Sequence, residues 1–180
     1  MRSSLVPLVA ALTLLACAPQ PQPEDRAVIA ARNAAAIDGF LGASVRPALR
    51  FCVAQQTGAA RDTAALTVAG FTPSSSGALS KPIAGNVGNP PADGSIFVVL
   101  QSACRIRANG FSISPTEIDA AIAQEMSALG YARVADAEAG KLGVTSGSTV
   151  FRKGERIVTA KTGHSVVTGR PFMSIAIDAS

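Results

Sequence analysis

Apolar residues recur at helical spacing in the first third of the chain. From Glu24 to about Ser44 the chain is rich in alanine and places apolar residues three and four positions apart, which predicts a helix. Proline has no amide hydrogen for the helical ladder, so Pro47 predicts a break near Ser44 and a second helix from Val45 to Gln56. A third, short helix is predicted from an Asp62 cap to Ala69.

Strand patterns replace the helical spacing in the second half of the chain. Ile96–Arg107 opens with five consecutive apolar residues and then alternates, which predicts a central strand with Cys104 facing the core. Lys153 and Gly154 fit a hairpin turn. Further strands are predicted at Tyr131–Val134, Thr149–Arg152, Arg156–Lys161 and Phe172–Asp178.

One helix among these strands has a start signal at its N-terminal end and a stop signal at its C-terminal end. Ser114-Pro115-Thr116-Glu117 combines a capping box with a proline in the first turn, and Gly130 supplies a stop. Because both ends are marked, the sequence predicts a helix between them, with Ile118 in its apolar stripe.

The segment at about residues 72–95 shows neither the helical nor the strand spacing of apolar residues. Residues 72–94 contain four prolines and four glycines, which predicts a long loop, either functional or disordered. Ala135–Gly147 is predicted to be a polar connection. Together the elements predict an α+β domain, in which N-terminal helices pack on a C-terminal, mostly antiparallel sheet with one helix between strands.

The N-terminus carries the pattern of an export signal. Arg2 precedes an apolar stretch from Leu5 to Ala16, which fits a signal peptide over residues 1–16 and is shorter than the ~20 residues of a membrane-spanning helix. Residues 14–17 read Leu-Leu-Ala-Cys, which resembles the lipobox of bacterial lipoproteins.

The lipobox resemblance implies cleavage before Cys17 and acylation of that residue, which would anchor the protein on a membrane. Ala18 rather than aspartate follows the cysteine, and by analogy with lipoprotein sorting this favours the periplasmic face of the outer membrane. Ala16-Cys17-Ala18 also fits ordinary signal peptidase, which would release a soluble periplasmic protein. Both alternatives place the mature chain outside the cytoplasm.

Alternating prolines follow the predicted lipidation site. In residues 17–23 they favour an extended polyproline II conformation, which predicts a tether between the lipid and the folded part. Residues 24–180 have the length of one domain.

The cysteine count favours the lipid anchor. Lipidation of Cys17 leaves Cys52 and Cys104 as an even pair, and such a pair usually forms a disulfide in an oxidising compartment. The alternative is two buried free thiols.

Composition and motifs narrow the possible ligands. Without Arg2 the chain has 15 basic residues against 12 acidic ones, a net charge of only +3. It has no tryptophan and one tyrosine, so nucleic-acid binding is not expected. Glycine-rich nucleotide motifs are missing and there is one histidine, so neither a cofactor nor a metal is predicted.

Two residues are weak candidates for acid–base catalysis. Glu125 falls inside the apolar stripe of the predicted helix, where it is either a general acid or base in a cleft or a rim carboxylate paired with Arg105, Arg107 or another arginine. His164 lies beside Ser165 in a predicted glycine-flanked turn, where it is either a base or a solvated turn residue.

A basic segment near the C-terminus is the remaining candidate site. The segment contains five basic residues and one acidic residue, Glu155. This excess of positive charge predicts a patch that binds anionic lipid headgroups or an acidic protein. The alternative is a charged edge of the sheet that prevents pairing with other strands. The five are Arg152, Lys153, Arg156, Lys161 and Arg170.

Two functional hypotheses follow from these patterns. The first is a lipoprotein of the cell envelope that presents a non-enzymatic interaction domain. The second is a small periplasmic hydrolase acting on cell-wall or lipid material, with Glu125 or His164 as acid or base. The hydrolase hypothesis requires one of these residues in a cleft with a partner side chain within about 3 Å.

Overall fold

The computed structural model describes residues 23–59, 63–86, 93–144 and 147–180. The predicted signal peptide, Cys17 and Asp62 lie outside the described residues. Within the described part, the longer helices pack on one face of an antiparallel sheet, which confirms the predicted α+β class.

The helical part begins with one continuous helix. It comprises α1 (Pro23–Phe40), a π-helical turn (Leu41–Val45) and α2 (Arg46–Gln56), and α3 (Thr63–Val68) follows. The predicted break near Ser44 is therefore wrong.

The π-helical turn explains how Pro47 is accommodated in this helix. Proline cannot donate to the carbonyl four residues earlier, which belongs to Ala43. Lys81 Nζ donates a hydrogen bond to that carbonyl at 2.8 Å instead. A wider turn and an external donor thus replace the missing backbone bond, and the helix continues.

In the described part of the chain, eight strands form one sheet in which all neighbours are antiparallel, in the order β1-β2-β3-β4-β8-β7-β6-β5. The strands are β1 (Thr72–Pro73), β2 (Leu79–Ile83), β3 (Gly94–Leu100), β4 (Cys104–Asn109), β5 (Ala132–Arg133), β6 (Thr149–Lys153), β7 (Arg156–Val167) and β8 (Arg170–Ala179).

Two predictions for the first half of this sheet are wrong. The segment predicted as a loop at 72–95 contains β1 and β2. β2 tolerates Pro82 because β1 pairs only with Leu79 and Ser80, so one edge of β2 at Pro82 is left without a neighbouring strand. The single strand predicted at Ile96–Arg107 is the hairpin β3–β4, which turns at residues 101–103.

The helix with marked ends is confirmed as α4 (Pro115–Ala128). Its capping box is complete, and Gly130 adopts a φ of 81° beyond its C-terminal end. After β5 the predicted polar connection contains instead a short helix α5 (Asp136–Ala139) and a 3₁₀ turn (Gly140–Leu142). The hairpin turn after Lys153 is also confirmed, with a φ of 60° at Gly154.

The core lies between the helices and one face of the sheet. α2 packs against β4 and β8, and α4 packs against α2 and β7. Buried core residues of the described chain run from Phe40 to Ile177, so a chain that begins at Ala18 retains all of them.

One helix passes a length and composition test for crossing a membrane. It covers Arg26–Gln56, with a mean hydropathy of 1.2 in its most apolar window. Only 22% of that window is buried inside the domain, and the buried residues Val45, Leu49 and Cys52 belong to the C-terminal half of the helix.

Candidate functional site

The predicted disulfide is confirmed. Cys52 on α2 and Cys104 on β4 are bonded, their Cα atoms are 5.3 Å apart, and both side chains are buried. The bond therefore ties the helical layer to the middle of the sheet.

Glu125 is buried in α4 and paired with Arg50 of α2. Its carboxylate accepts hydrogen bonds from Arg50 Nε and, at 3.5 Å, from Arg50 Nη2. Only 3% of Glu125 is exposed, whereas 62% of the Arg50 side chain is. The carboxylate and its hydrogen bond raise the pKa of Arg50. An arginine stays protonated and cannot take up a proton from the carboxylate, so the geometry favours the ion-pair interpretation.

His164 lies in a strand and not in the predicted turn. It is part of the exposed section of β7, where it pairs with Met173 of β8. Among the residues that the structure describes, none is hydrogen-bonded to its imidazole. The partner side chain that the hydrolase hypothesis requires is therefore not found for His164 among the described residues.

The five cations of the predicted basic patch do not share one surface. Neighbouring strand residues point to opposite faces of a sheet. The pairing register places Arg152, Lys161 and Arg170 on the face opposite the helices, and Lys153 and Arg156 on the helical face. The prediction of one continuous patch is therefore wrong.

Two of the five cations have partners that hold them in place. Arg152 forms an ion pair with Glu138 at 2.7 Å, and both side chains are partly exposed. Lys153 Nζ donates to the carbonyl of Leu129 at 2.8 Å and lies 5.6 Å from the centre of the Tyr131 ring. Both contacts indicate a structural role.

A different cluster of cations occupies the centre of the face opposite the helices, which we call the open face. Arg105 and Arg107 alternate along β4 with the buried Cys104, Ile106 and Ala108, so both point to this face. Register places Arg105, Ala176 and Lys161 side by side on β4, β8 and β7. Two strand spacings separate Arg105 from Lys161, roughly 10 Å.

Small residues flank these cations on the side of β8 and β7, whereas Val99 and Phe97 of β3 pair with Arg105 and Arg107 on the other side. Ala176 lies between Arg105 and Lys161, while Ser174 and Gly163 continue the row that begins with Arg107. A Cβ atom at Gly163 would lie 2.8 Å from Ser174 Oγ, so any larger residue at this position would crowd Ser174. The cations of the open face therefore lie between apolar side chains of β3 and small residues of β8 and β7.

The strands that form the open face have little negative charge. β3, β4, β6, β7 and β8 contain one acidic residue, Asp178, and its carboxylate accepts a hydrogen bond from the amide of Ala179 at 2.9 Å. Within the described residues, Arg105, Arg107 and Lys161 have no ion-pair partner. The open face is therefore a compact positive surface.

Sequence reasoning missed the contribution of Arg105 and Arg107 to a basic surface. It considered them as partners for Glu125, although the alternation in Cys104-Arg105-Ile106-Arg107 already indicates that they point away from the core. Their proximity to Lys161 depends on the pairing of β4 with β8 and of β8 with β7, which is not local in sequence.

No protein-family model, curated protein or solved structure shows significant similarity to this chain. Within the described residues, histidine, cysteine, aspartate and glutamate side chains form no group that could hold a metal ion.

Proposed function

We propose that the chain is an envelope lipoprotein, anchored through acyl chains on Cys17, whose non-enzymatic domain rests its open face on anionic lipid headgroups. The observation that carries the proposal is the cluster of Arg105, Arg107 and Lys161, three cations without ion-pair partners in the described chain. A cationic sheet face suits a planar array of negative headgroups. Each cation near such a surface contributes about 1 kcal/mol of attraction.

The predicted anchor supports the choice of a lipid partner over an acidic protein. A tethered domain is confined close to the bilayer, so its effective concentration at headgroups is high and weak contacts suffice. The tip of the β7–β8 hairpin adds Val167 and Arg170 to the same face, and Val167 is 51% exposed. An apolar residue beside a cation matches the chemistry of a membrane interface.

The anchor itself is tested at the N-terminus. Mass spectrometry of the protein extracted from its native membrane should find an acylated Cys17 as the first residue. Replacing Cys17 with alanine should shift the protein from the membrane fraction to the soluble fraction. An unmodified N-terminus at Pro19 would contradict the anchor and support the soluble periplasmic alternative.

The open face is tested with a chain that begins at Ala18, has no lipid and retains the described core. We expect it to bind phosphatidylglycerol vesicles more tightly than phosphatidylcholine vesicles, and to lose affinity as salt rises, because ions screen the attraction. The combined change Arg105→Gln, Arg107→Gln and Lys161→Gln should weaken binding on the order of a hundredfold.

A second triple variant controls for net charge. Arg26, Arg32 and Arg156 are exposed cations away from the open face, and replacing all three with glutamine removes the same charge. Vesicle sedimentation should show near-normal binding for this control. An equal loss of vesicle binding in the two variants would contradict binding through the open face. Normal binding by the open-face variant would exclude lipid headgroups as its ligand and favour an acidic protein.

A further inference from the structure

A large apolar cleft lies on the helical side of the domain, away from the open face. It has a volume of about 870 Å³ and opens between α2, α3 and β2. Its apolar wall includes Pro47, Phe51, Ala54, Val68, Ala69 and Leu129. We call it the α2–α3 cleft, and its volume falls in the range of small-molecule sites.

The polar side chains that line this cleft are both cationic. Arg50 and Lys81 are part of its lining, and the other lining side chains of the described chain are alanine, proline, valine, leucine and phenylalanine. Hydroxyl, amide and carboxylate side chains are thus missing from the lining. Sugars and peptides require several such groups to satisfy their hydrogen bonds, so the chemistry favours an apolar ligand with a negative end.

Both cations are held by the protein yet keep hydrogen atoms free to donate. A guanidinium has five N–H donors, and the carboxylate of Glu125 accepts from Nε and Nη2 of Arg50. Lys81 has three donors, of which one reaches the carbonyl of Ala43. Burial also lowers the pKa of Lys81, which a bound anion would reverse.

We propose that the α2–α3 cleft binds an anionic amphiphile, with its acyl chain against the apolar wall and its carboxylate or phosphate head between Arg50 and Lys81. Val68 extends the apolar surface to the rim, where 89% of this residue is exposed to solvent. An acyl chain would cover Val68, and charge complementarity selects a negative head over a neutral one. The site is independent of the open face.

The proposal is tested by calorimetric titration of the anchorless chain with oleate, oleoyl lysophosphatidate and oleyl alcohol, each below its aggregation concentration. The first two should saturate a single site, and oleyl alcohol should bind at least roughly tenfold more weakly because it lacks the charge. The tighter of the two anions identifies the head group as carboxylate or phosphate.

Two variants localise the binding. Val68→Asp adds a negative charge at the rim without disturbing the core, and Lys81→Gln removes one of the cations. Each should weaken oleate binding roughly tenfold. The matched control is Val28→Asp on α1, a site that is 69% exposed and outside the cleft, which should bind normally.

Three results would overturn the proposal. They are the absence of saturable oleate binding, equal affinity for oleate and oleyl alcohol, and an equal effect of Val68→Asp and Val28→Asp. Circular dichroism of each variant shows whether it is folded, and the exposed position of Val68 keeps the test valid if Lys81→Gln is unstable. Vesicle binding by the open face is measured separately, so failure of either proposal leaves the other intact.

Discussion

At the scale of single residues, the ion pair of Arg50 and Glu125 is asymmetric in burial. The carboxylate is almost fully removed from water, whereas most of the arginine side chain is exposed. A buried charge without a partner costs much more than an exposed one. The two halves of this pair therefore contribute unequally to stability, and Arg50 serves mainly to neutralise Glu125.

Substitution at each end of the pair should reveal this asymmetry. Arg50→Gln leaves a buried carboxylate without its cation and should lower the free energy of unfolding by about 3 kcal/mol. Glu125→Gln leaves an arginine that water can solvate and should cost about 1 kcal/mol. Urea unfolding at neutral pH measures both.

The control is Arg152→Gln, which breaks an ion pair exposed at both ends and should cost less than about 1 kcal/mol. Equal losses for Arg50→Gln and Glu125→Gln would show that burial does not distinguish the two partners.

At the scale of elements, α4 illustrates how side chains begin a helix. The amide of Glu117 donates to Ser114 Oγ at 3.2 Å, and the amide of Ser114 donates to Glu117 Oε2 at 2.9 Å. The Ser114 hydroxyl also donates to Oε2 at 2.6 Å. These bonds favour the ionised carboxylate and lower the pKa of Glu117 from its ordinary 4.5.

The lowered pKa gives the start of α4 a predictable pH dependence. Between the folded and unfolded pKa values the unfolded chain binds more protons, so stability from Glu117 is present above about pH 4.5 and is lost as pH falls through the folded pKa. Glu117→Gln should therefore lower the melting temperature at neutral pH, and the difference from wild type should shrink in acid.

Thermal unfolding followed by circular dichroism over this pH range checks the prediction. Asp38→Asn on α1 removes a carboxylate outside the capping box and serves as the matched control. A constant difference between wild type and Glu117→Gln at all pH values would contradict a role for the carboxylate charge.

At the scale of the whole molecule, one covalent bond connects the two layers. Cys52 and Cys104 are 52 residues apart in sequence, and they join α2 to the second strand of the β3–β4 hairpin. The bond restricts the unfolded chain, and closing a loop of this length contributes about 4 kcal/mol in the chain-entropy model. The disulfide is thus expected to supply a large share of the net stability of a small domain.

Reduction should test this contribution directly. In the presence of a thiol reductant, the free energy of unfolding of the anchorless chain should fall by about 4 kcal/mol, because the reduced unfolded state regains its loop freedom. Urea unfolding with and without reductant measures the difference, and mass spectrometry after alkylation confirms that both thiols are free. Coincident unfolding curves for fully reduced and oxidised protein would contradict the prediction.

Local signals in the sequence determined several elements correctly. The capping box and Gly130 mark the ends of α4, and the turn after Lys153 requires the positive φ that Gly154 supplies. Alternation puts Met173, Ile175 and Ile177 on one side of β8, and all three are buried in the core. Each of these signals involves residues that are close together in sequence, so it can be recognised from the sequence alone.

Only the tertiary structure decided the remaining features, because they depend on residues that are distant in sequence. Lys81 lets the helix continue past Pro47 by donating to a carbonyl 38 residues earlier. β2 forms in a proline-rich segment because β3 pairs with it, and Arg50 meets Glu125 because α2 packs on α4. Strand order brings Arg105 and Lys161 together, and the pairing register places Lys153 on the other face of the sheet.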